Sequence, residues 1–562
     1  MDYDDDCLCL GSPAFAEQSL ADHARQHGAL AAWKRALAGP WTAAAAAAAA
    51  AGVHGDFAVA LRERNGRCVL AVDRFAIHTL CYRVVDGQLR YAARADELSD
   101  AGTDLDPQAI FDYLYFHVIP SPRTIFNGVH RLPPGHFAVF EGGELTVAPY
   151  WTPSFCEPDK PSFEDLRGGF RQLLHDAVAR QLDGTKPACF LSGGTDSSTV
   201  AGMIGQVVGR PAASYSIGFE AEGYDEMAYA RIAARHFHTE HHEYYVTPDD
   251  LVRSIAEVAA FHDQPFGNSS ALPAYYCARL ARDDGVTRLL AGDGGDELFG
   301  GNSRYAMQRI FGWYSHLPGG LRRGVLDPMF SLSAAMHLPL LRKGASYIRQ
   351  ANTPMPDRLQ NYNLLLRLGV ADVLTPAFLS RVSQRAPLEA QRAVWAAAGD
   401  AADINAMLAY DWRFTLAESD LPKVRGSTQL AGVSVGYPLL DQALLDFSLR
   451  LPAAYKLNGL KLRWFFKEAL RGFLPDTIIA KKKQGFGLPF GVWANQHEGL
   501  KRLAVDSLRS FAGRGIVRPD FVDTLLGTHL PAHPGYYGEM VWILMMLEQW
   551  LQRHAPRYVA HA

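Results

Sequence analysis

Two rhythms of apolar and polar positions divide this chain. In the first, short apolar runs sit close together: Phe57-Ala58-Val59-Ala60-Leu61 and Cys68-Val69-Leu70-Ala71-Val72 flank a polar turn in which Asn65-Gly66 is a hairpin signal. Further short strands are expected around Leu80 to Val85 and Leu89 to Ala93, and prolines 120, 122, 133 and 134 punctuate the exit. Residues 152–161, with Pro153, Pro158 and Pro161, read as a linker. The second rhythm begins at Phe170, Leu173, Leu174, Ala177, Val178 and Leu182, which share one helical face. Strands are then predicted at Ala188–Leu191, Ala212–Ile217 and Arg288–Ala291, with helices at Thr199–Val208 and Glu226–His236 between them. Strands alternating with helices argue for a parallel sheet covered on both faces, with ligands beyond the carboxyl ends of the strands. From about 305 to 550 the pattern is mainly helical, and no internal repeat is present.

Bulk composition narrows the function without naming it. The 562 residues suggest two or more domains, and 48% hydrophobic with 20% charged residues is an ordinary globular balance. A net charge of −4 argues against a nucleic-acid or membrane partner. Seven scattered cysteines favour reduced thiols in a cytoplasm over a disulfide framework. The start, MDYDDDCLCL, is acidic where a signal peptide is basic, and the alanine tract Ala43–Ala51 is too short to span a bilayer; it reads as a helix or a variable linker.

The candidate chemistry begins at Ser192-Gly193-Gly194-Thr195-Asp196-Ser197-Ser198, which lies between a strand and a helix. Such a turn aims backbone N–H groups and the positive end of a helix dipole at an anion. Asp196 repels a bare phosphate, so it makes sense holding Mg²⁺ against one. The Gly-Lys-Ser/Thr of a Walker loop is absent; the string resembles the pyrophosphate loop of enzymes that split ATP into AMP and pyrophosphate.

Further strings extend the resemblance. Gly55-Asp56-Phe57-Ala58, Asp73-Arg74-Phe75, Thr124-Ile125-Phe126 and Leu132-Pro133-Pro134-Gly135-His136 come first. Ser216-Ile217-Gly218-Phe219, Asp263-Gln264-Pro265-Phe266, the run Gly292 to Gly301, Tyr437-Pro438-Leu439-Leu440-Asp441 and Lys482 to Gly487 follow in family order. Together they resemble the asparagine synthetase B family. The resemblance implies an N-terminal glutaminase-like domain of the N-terminal-nucleophile αββα kind (1–155), then a doubly wound parallel-sheet ATP-pyrophosphatase domain with large helical additions (160–562). The fold class is therefore α/β.

The same resemblance implies roles. Leu191, Ile217, Gly218 and Gly292 contact adenine and ribose; Ser192, Gly193, Gly194, Asp196, Ser197 and Ser198 hold the phosphates of ATP; Asp196 and Asp296 bind Mg²⁺. Asp293 stands where asparagine synthetases carry an acid and β-lactam synthetases a tyrosine, and there it orients or deprotonates the attacking amine. Lys423 lies in a Leu-Pro-Lys-Val segment like the family's, although Arg425-Gly426 follows where the family usually has Asp-Arg. The family's catalytic lysine falls in register with Arg463, and Lys461 is the alternative cation; sequence leaves the two open. Lys481-Lys482-Lys483 before Gln484-Gly485-Phe486-Gly487 reads as a mobile basic flap. His241-His242 reads as a helix-to-strand turn in preference to a metal site.

One departure shapes the functional expectation. The family's nucleophilic cysteine directly follows the initiator Met, whereas this chain has Asp2 there. Its free α-amine is the local base, so Cys7 serves only if cleavage follows Asp6. No Asn-Gly-Glu glutamine-binding string is present. A synthetase without its glutaminase takes its amine from the substrate, as β-lactam synthetases and lasso-peptide cyclases do. The favoured expectation is a lasso-peptide macrolactam cyclase acting on a peptide carboxylate, with a leader-binding protein and a protease as companions and a homodimer as the family's common assembly. The alternatives are an ammonia-dependent asparagine synthetase, a natural-product amide synthetase and a non-catalytic scaffold.

Overall fold

Apart from a two-residue pair (Ala14–Phe15 with Val53–His54), the strands of the first half are β1 (Leu8–Gly11), β2 (Phe57–Arg62), β3 (Cys68–Val72), β4 (Cys81–Val85), β5 (Gln88–Ala92), β6 (His130–Arg131), β7 (His136–Glu141) and β8 (Glu144–Pro149). This is a computed structural model, and it describes residues 6–560 apart from 40, 101–102, 158–160, 316, 327, 329–338, 400, 483–484 and 486. A five-stranded antiparallel sheet runs β1-β2-β3-β7-β8, and a three-stranded one runs β5-β4-β6. Asn65-Gly66 makes the expected turn, with the Glu63 N–H donating to Arg67 O at 2.9 Å and Gly66 at φ +87°. Alternate residues of β2 and β3 go to opposite faces. Phe57, Val59, Leu61, Val69 and Ala71 pack with Trp33, Trp41, Ala46 and Ala50. Ala58, Ala60, Leu70 and Val72 pack with Leu80, Tyr82, Leu89 and Leu132. Both faces are covered, so the strands read as continuous apolar runs. The alanine tract is helix α1 (Ala43–Ala51), capped by Thr42, whose Oγ1 accepts from the Ala45 N–H at 3.1 Å.

The second half is built on a five-stranded parallel sheet. In chain order come α2 (Phe163–Gln181), β9 (Ala188–Phe190), α3 (Thr195–Val208), β10 (Ala213–Phe219), α4 (Met227–Phe237), β11 (Glu240–Val246), α5 (Ala271–Asp283), β12 (Arg288–Leu290), α6 (Leu421–Ala431), β13 (Ser434–Gly436), α7 (Trp464–Ala469) and α8 (Pro534–His554). The sheet order is β11-β10-β9-β12-β13, with Ala188 beside Ala213 and Cys189 beside Leu290. All seven residues of β10 are buried, as helices on both faces require. The order reverses at β9, so a crevice opens beyond its carboxyl end, between the loops after β9 and β12. The expected elements are present with ends shifted by one or two residues, except that α3 begins four residues earlier than expected, at Thr195, directly from the glycine turn. His241 and His242 differ: they lie inside β11, not in a turn, because His241 Nδ1 pairs with Ser214 Oγ at 2.9 Å and His242 stacks on Tyr215.

The two halves share one core. Phe75 and Trp151 pack against Trp412 at 6.1 and 6.2 Å, and the Tyr113 hydroxyl donates to Ile543 O at 2.9 Å. Beneath them lies a buried ionic knot in which the Glu418 carboxylate accepts from Arg131, Arg413 and both the N–H and hydroxyl of Ser121. The middle of helix α8 is apolar all round, with Met540 to Leu547 no more than 2% exposed, because it runs through that core. Among the described residues no helix is long and apolar enough to cross a membrane.

Candidate active site

The loop after β9 owes its shape to two neighbours. A side chain on Gly193 would sit 2.3 Å from the Ala230 N, and the residue has φ +69°, so only glycine lets the loop lie on α4. Ser192 and Ser197 then close the loop: the Ser192 N–H donates to Ser197 Oγ at 3.1 Å, and the Gly194 N–H donates to Ser192 Oγ at 3.3 Å. The N-terminus of the fourteen-residue helix α3 follows directly, with Asp196 in its first turn.

The centre of the crevice is a cluster of one cation and two acids. The Arg463 guanidinium, 4% exposed, donates to Asp196 Oδ2 at 2.6 Å, Asp296 Oδ1 at 2.7 Å and Thr195 Oγ1 at 3.0 Å. It lies 4.3 Å from the centre of the Phe466 ring. Arg463 caps α7 in the left-handed region at φ +53°, and its N–H donates to Gly300 O at 3.1 Å. Two glycines keep the space open: a Cβ on Gly295 would meet Asp196 Oδ1 at 2.1 Å, and one on Gly301 would meet Asp296 Oδ1 at 1.7 Å. Burial works against the charge on Arg463, but Asp196 and Asp296 outweigh it and hold the guanidinium firmly protonated. Two carboxylates and a hydroxyl converging from separate loops are a donor set that suits a hard divalent cation. The positive charge found there is the arginine itself.

Beside this cluster, Lys423 of α6 places its Nζ 2.9 Å from Asp420 and 3.8 Å from Asp293. Burial opposes the ammonium, while Asp420 and Asp293 hold it charged. Burial pushes the Asp293 carboxyl up to about 6; Lys423 pulls it down, and Asp420 and Asp196 raise it. A carboxyl near 6 is poised to exchange a proton at neutral pH.

Two cavities meet at the loop. The inner one, ≈ 350 Å³, is lined by Leu191, Ser192, Asp196, Ser197, Ile217, Gly292, Asp293, Asp296 and Lys423 among others. The outer one, ≈ 770 Å³, takes in Ser192, Gly194, Asp196, Ser197, Asp296, Lys461 and Arg463. Three expected phosphate or nucleotide residues line neither. Gly193 serves the packing on α4; Ser198 is fully buried inside α3; Gly218 makes room for the Tyr245 ring, which a Cβ would meet at 2.6 Å. Lys461 is exposed on the outer wall, whereas Arg463 is at the centre. Lys481 of the expected flap pairs with Glu226 at 2.7 Å over the Tyr229 ring, and Lys482 lines the outer cavity; Lys483, Gln484 and Phe486 lie outside the described residues, as does Asp2. Sequence reasoning missed Asp420 and Glu226. Asp420 is three residues before Lys423, a helical acid–base spacing that could have flagged it; Glu226 carries no comparable local signal.

Comparison with known proteins matches this arrangement. The family model described as asparagine synthase matches residues 169–552, and that of a glutamine amidotransferase domain matches residues 42–151. Asparagine synthetase [glutamine-hydrolyzing] 1 of Bacillus subtilis is 24% identical over 526 residues, covering 91% of this chain and 80% of that one. A putative asparagine synthetase [glutamine-hydrolyzing] of Mycobacterium bovis is 27% identical over 420 residues, covering 72% of this chain and 61% of its own. A putative asparagine synthetase of Methanocaldococcus jannaschii reaches 35% identity over 202 residues, covering 35% of this chain and 39% of its own.

Proposed function

The chain belongs to the asparagine synthase family and is an ATP-dependent carbon–nitrogen ligase, and from that premise we propose that it adenylates a peptide side-chain carboxylate and joins it to the peptide's own α-amine. The observation that carries the adenylating step is the convergence of the β9 loop, the α3 N-terminus and the Arg463–Asp196–Asp296 cluster on one crevice. The macrocyclising assignment is supported by the lack of an Asn-Gly-Glu glutamine-binding string, by the acid Asp293 beside Lys423 and by Arg425-Gly426 after that lysine. In this reading the first half, about residues 1–155, keeps the glutaminase-like fold without its chemistry.

The residues divide the work by position. Leu191, Ile217 and Gly292 form the wall for adenine and ribose at the inner cavity. The loop N–H groups and the Ser192 and Ser197 hydroxyls, with the α3 dipole, receive phosphate oxygens. The substrate carboxylate attacks the α-phosphorus, the bond to the β-phosphate oxygen breaks, and pyrophosphate leaves toward the basic outer wall, where Lys461, Lys467, Arg471 and Lys482 stand. Arg463 counters the charge that builds on the transferring phosphoryl group. Asp196 and Asp296 are the residues that would hold Mg²⁺, which supplies charge neutralisation at the phosphates when bound. Asp293 takes the proton from the attacking ammonium, and Lys423 holds Asp293 in place and countercharged. The amine expels AMP from the acyl carbon to close the amide.

ATP–pyrophosphate exchange tests the reading. Exchange is expected with a linear peptide bearing Asp or Glu near its N-terminus and not with free aspartate; the reverse result assigns the protein to small-molecule amidation, the second reading. Asp296→Ala is expected to abolish AMP formation while far-UV circular dichroism stays unchanged, and wild-type turnover in that variant would remove Asp296 from the site.

A further inference from the structure

A third cavity, ≈ 290 Å³, lies between the two halves, walled by β1, the stretch His78–Thr79 and Arg94 on one side and by residues 261–266 and α6 on the other. It is separate from the nucleotide crevice, although α6 borders both: Lys423 lines the inner cavity and Arg425 this one.

The charges around it do not balance. Three guanidiniums line it: Arg94, Arg131 and Arg425. Arg94 is answered by Asp96, with Nε and Nη2 bonds of 2.9 and 2.7 Å. Arg131 is answered by Glu418, which also serves Arg413. Asp263 accepts the Ala95 N–H at 2.9 Å and acts electrostatically on all three arginines. Arg425 has no carboxylate of its own: among the described residues none comes within ion-pair distance of it. Its Nη2 donates to Thr79 Oγ1 at 3.1 Å, and its Nε is buried with no hydrogen-bond partner. Burial and the neighbouring Arg131 both weaken its hold on its proton, against partial help from Tyr437 and Asp263. Burial pushes His262, stacked on Phe266, down to about 4, so it adds no charge at neutral pH. His78 is engaged by Asp56 at 2.9 Å.

We propose that this interdomain cavity is a binding site for a small monocarboxylate, with the Arg425 guanidinium as its main ligand. A half-buried guanidinium with no carboxylate in reach is unfavourable, and a carboxylate at its open Nη1 edge would answer it with a charge-assisted bond. A single negative charge is what the unanswered guanidinium requires; a phosphate dianion would leave the cavity with the opposite excess. Val118, Ile119, Phe266 and Pro422 add an apolar stretch to a wall that also carries Gln264 and Gln429, so the ligand carries a short hydrocarbon body. Gly426 shapes the site: a Cβ there would meet the His262 ring at 2.7 Å, so glycine lets α6 pack against that ring at the cavity wall. The ligand spans both halves and clamps them through α6.

Butyrate is the probe, with chloride and inorganic phosphate at matched ionic strength as comparators, on the full chain without nucleotide. Millimolar butyrate is expected to raise the wild-type Tm by about 1–3 °C and to give saturation-transfer NMR signals, with both responses lost in Arg425→Met. That variant, measured without butyrate, is expected to melt at or above wild type, since it removes an uncompensated charge. Arg425→Lys keeps the charge without the fork and should respond weakly. Asp296→Ala disables the nucleotide site and should keep the full response, which separates this test from that of the ligase reading. A lower Tm or failed folding of Arg425→Met would show the cation already satisfied and overturn the proposal. So would an unchanged butyrate response in that variant, or equal stabilisation by chloride and phosphate.

Discussion

Arg463 holds two carboxylates that would otherwise repel each other across the crevice, and it does so from a residue with positive φ. Removing one partner of a buried ionic group leaves the others uncompensated, which costs about 3–5 kcal/mol. Arg463→Ala is therefore expected to lower the denaturant midpoint and to reduce ATP–pyrophosphate exchange by about 10²-fold or more. Arg463→Lys should recover part of the exchange but less of the stability, because an ammonium cannot span both acids with the same fork. Asp293 adds a pH signature. Burial pushes its carboxyl up to about 6, and the base role proposed for it requires the deprotonated form. Amide formation should rise through pH 6 and level off above it. Asp293→Asn should lose the rate and flatten that limb; a retained limb would assign the titration to another group.

At the scale of elements, the β9 loop and α4 are matched surfaces. Gly193→Ala brings a Cβ against α4 backbone at 2.3 Å and imposes positive φ on a side chain, so the loop must lift. A Tm loss together with a weakened nucleotide affinity, read by thermal melting and by titration with a non-hydrolysable ATP analogue, is the expected pair of effects. The alternation of strands and helices after residue 163, and the glycine turns that end β9 and β12, were legible because period and punctuation are local properties. Asp296 and Asp293 were visible as motif positions for the same reason. The choice between Lys461 and Arg463 was not local: it depends on α7 entering the crevice beside Gly300, nearly 170 residues away in sequence from Asp296's strand-end loop in the chain's own order. Ser198 and Gly218 were legible as motif members but not as packing residues, because which face of α3 or β10 meets the core is set by neighbours distant in the chain.

For the whole molecule, the Glu418 knot ties the halves together through Arg131, Arg413 and Ser121. Glu418→Gln leaves the buried Arg131 and the half-buried Arg413 facing a neutral amide, so the halves should uncouple: a single unfolding transition is expected to broaden or split in calorimetry. The sheet of the second half has a different consequence, for assembly. One border, β11, carries Glu240, His241, His242 and Glu243, tied sideways to Lys186 and Arg231. The opposite border, β13, is three residues long. Charged or very short borders do not template another strand, so copies of this protein are not expected to extend the parallel sheet from one molecule into the next.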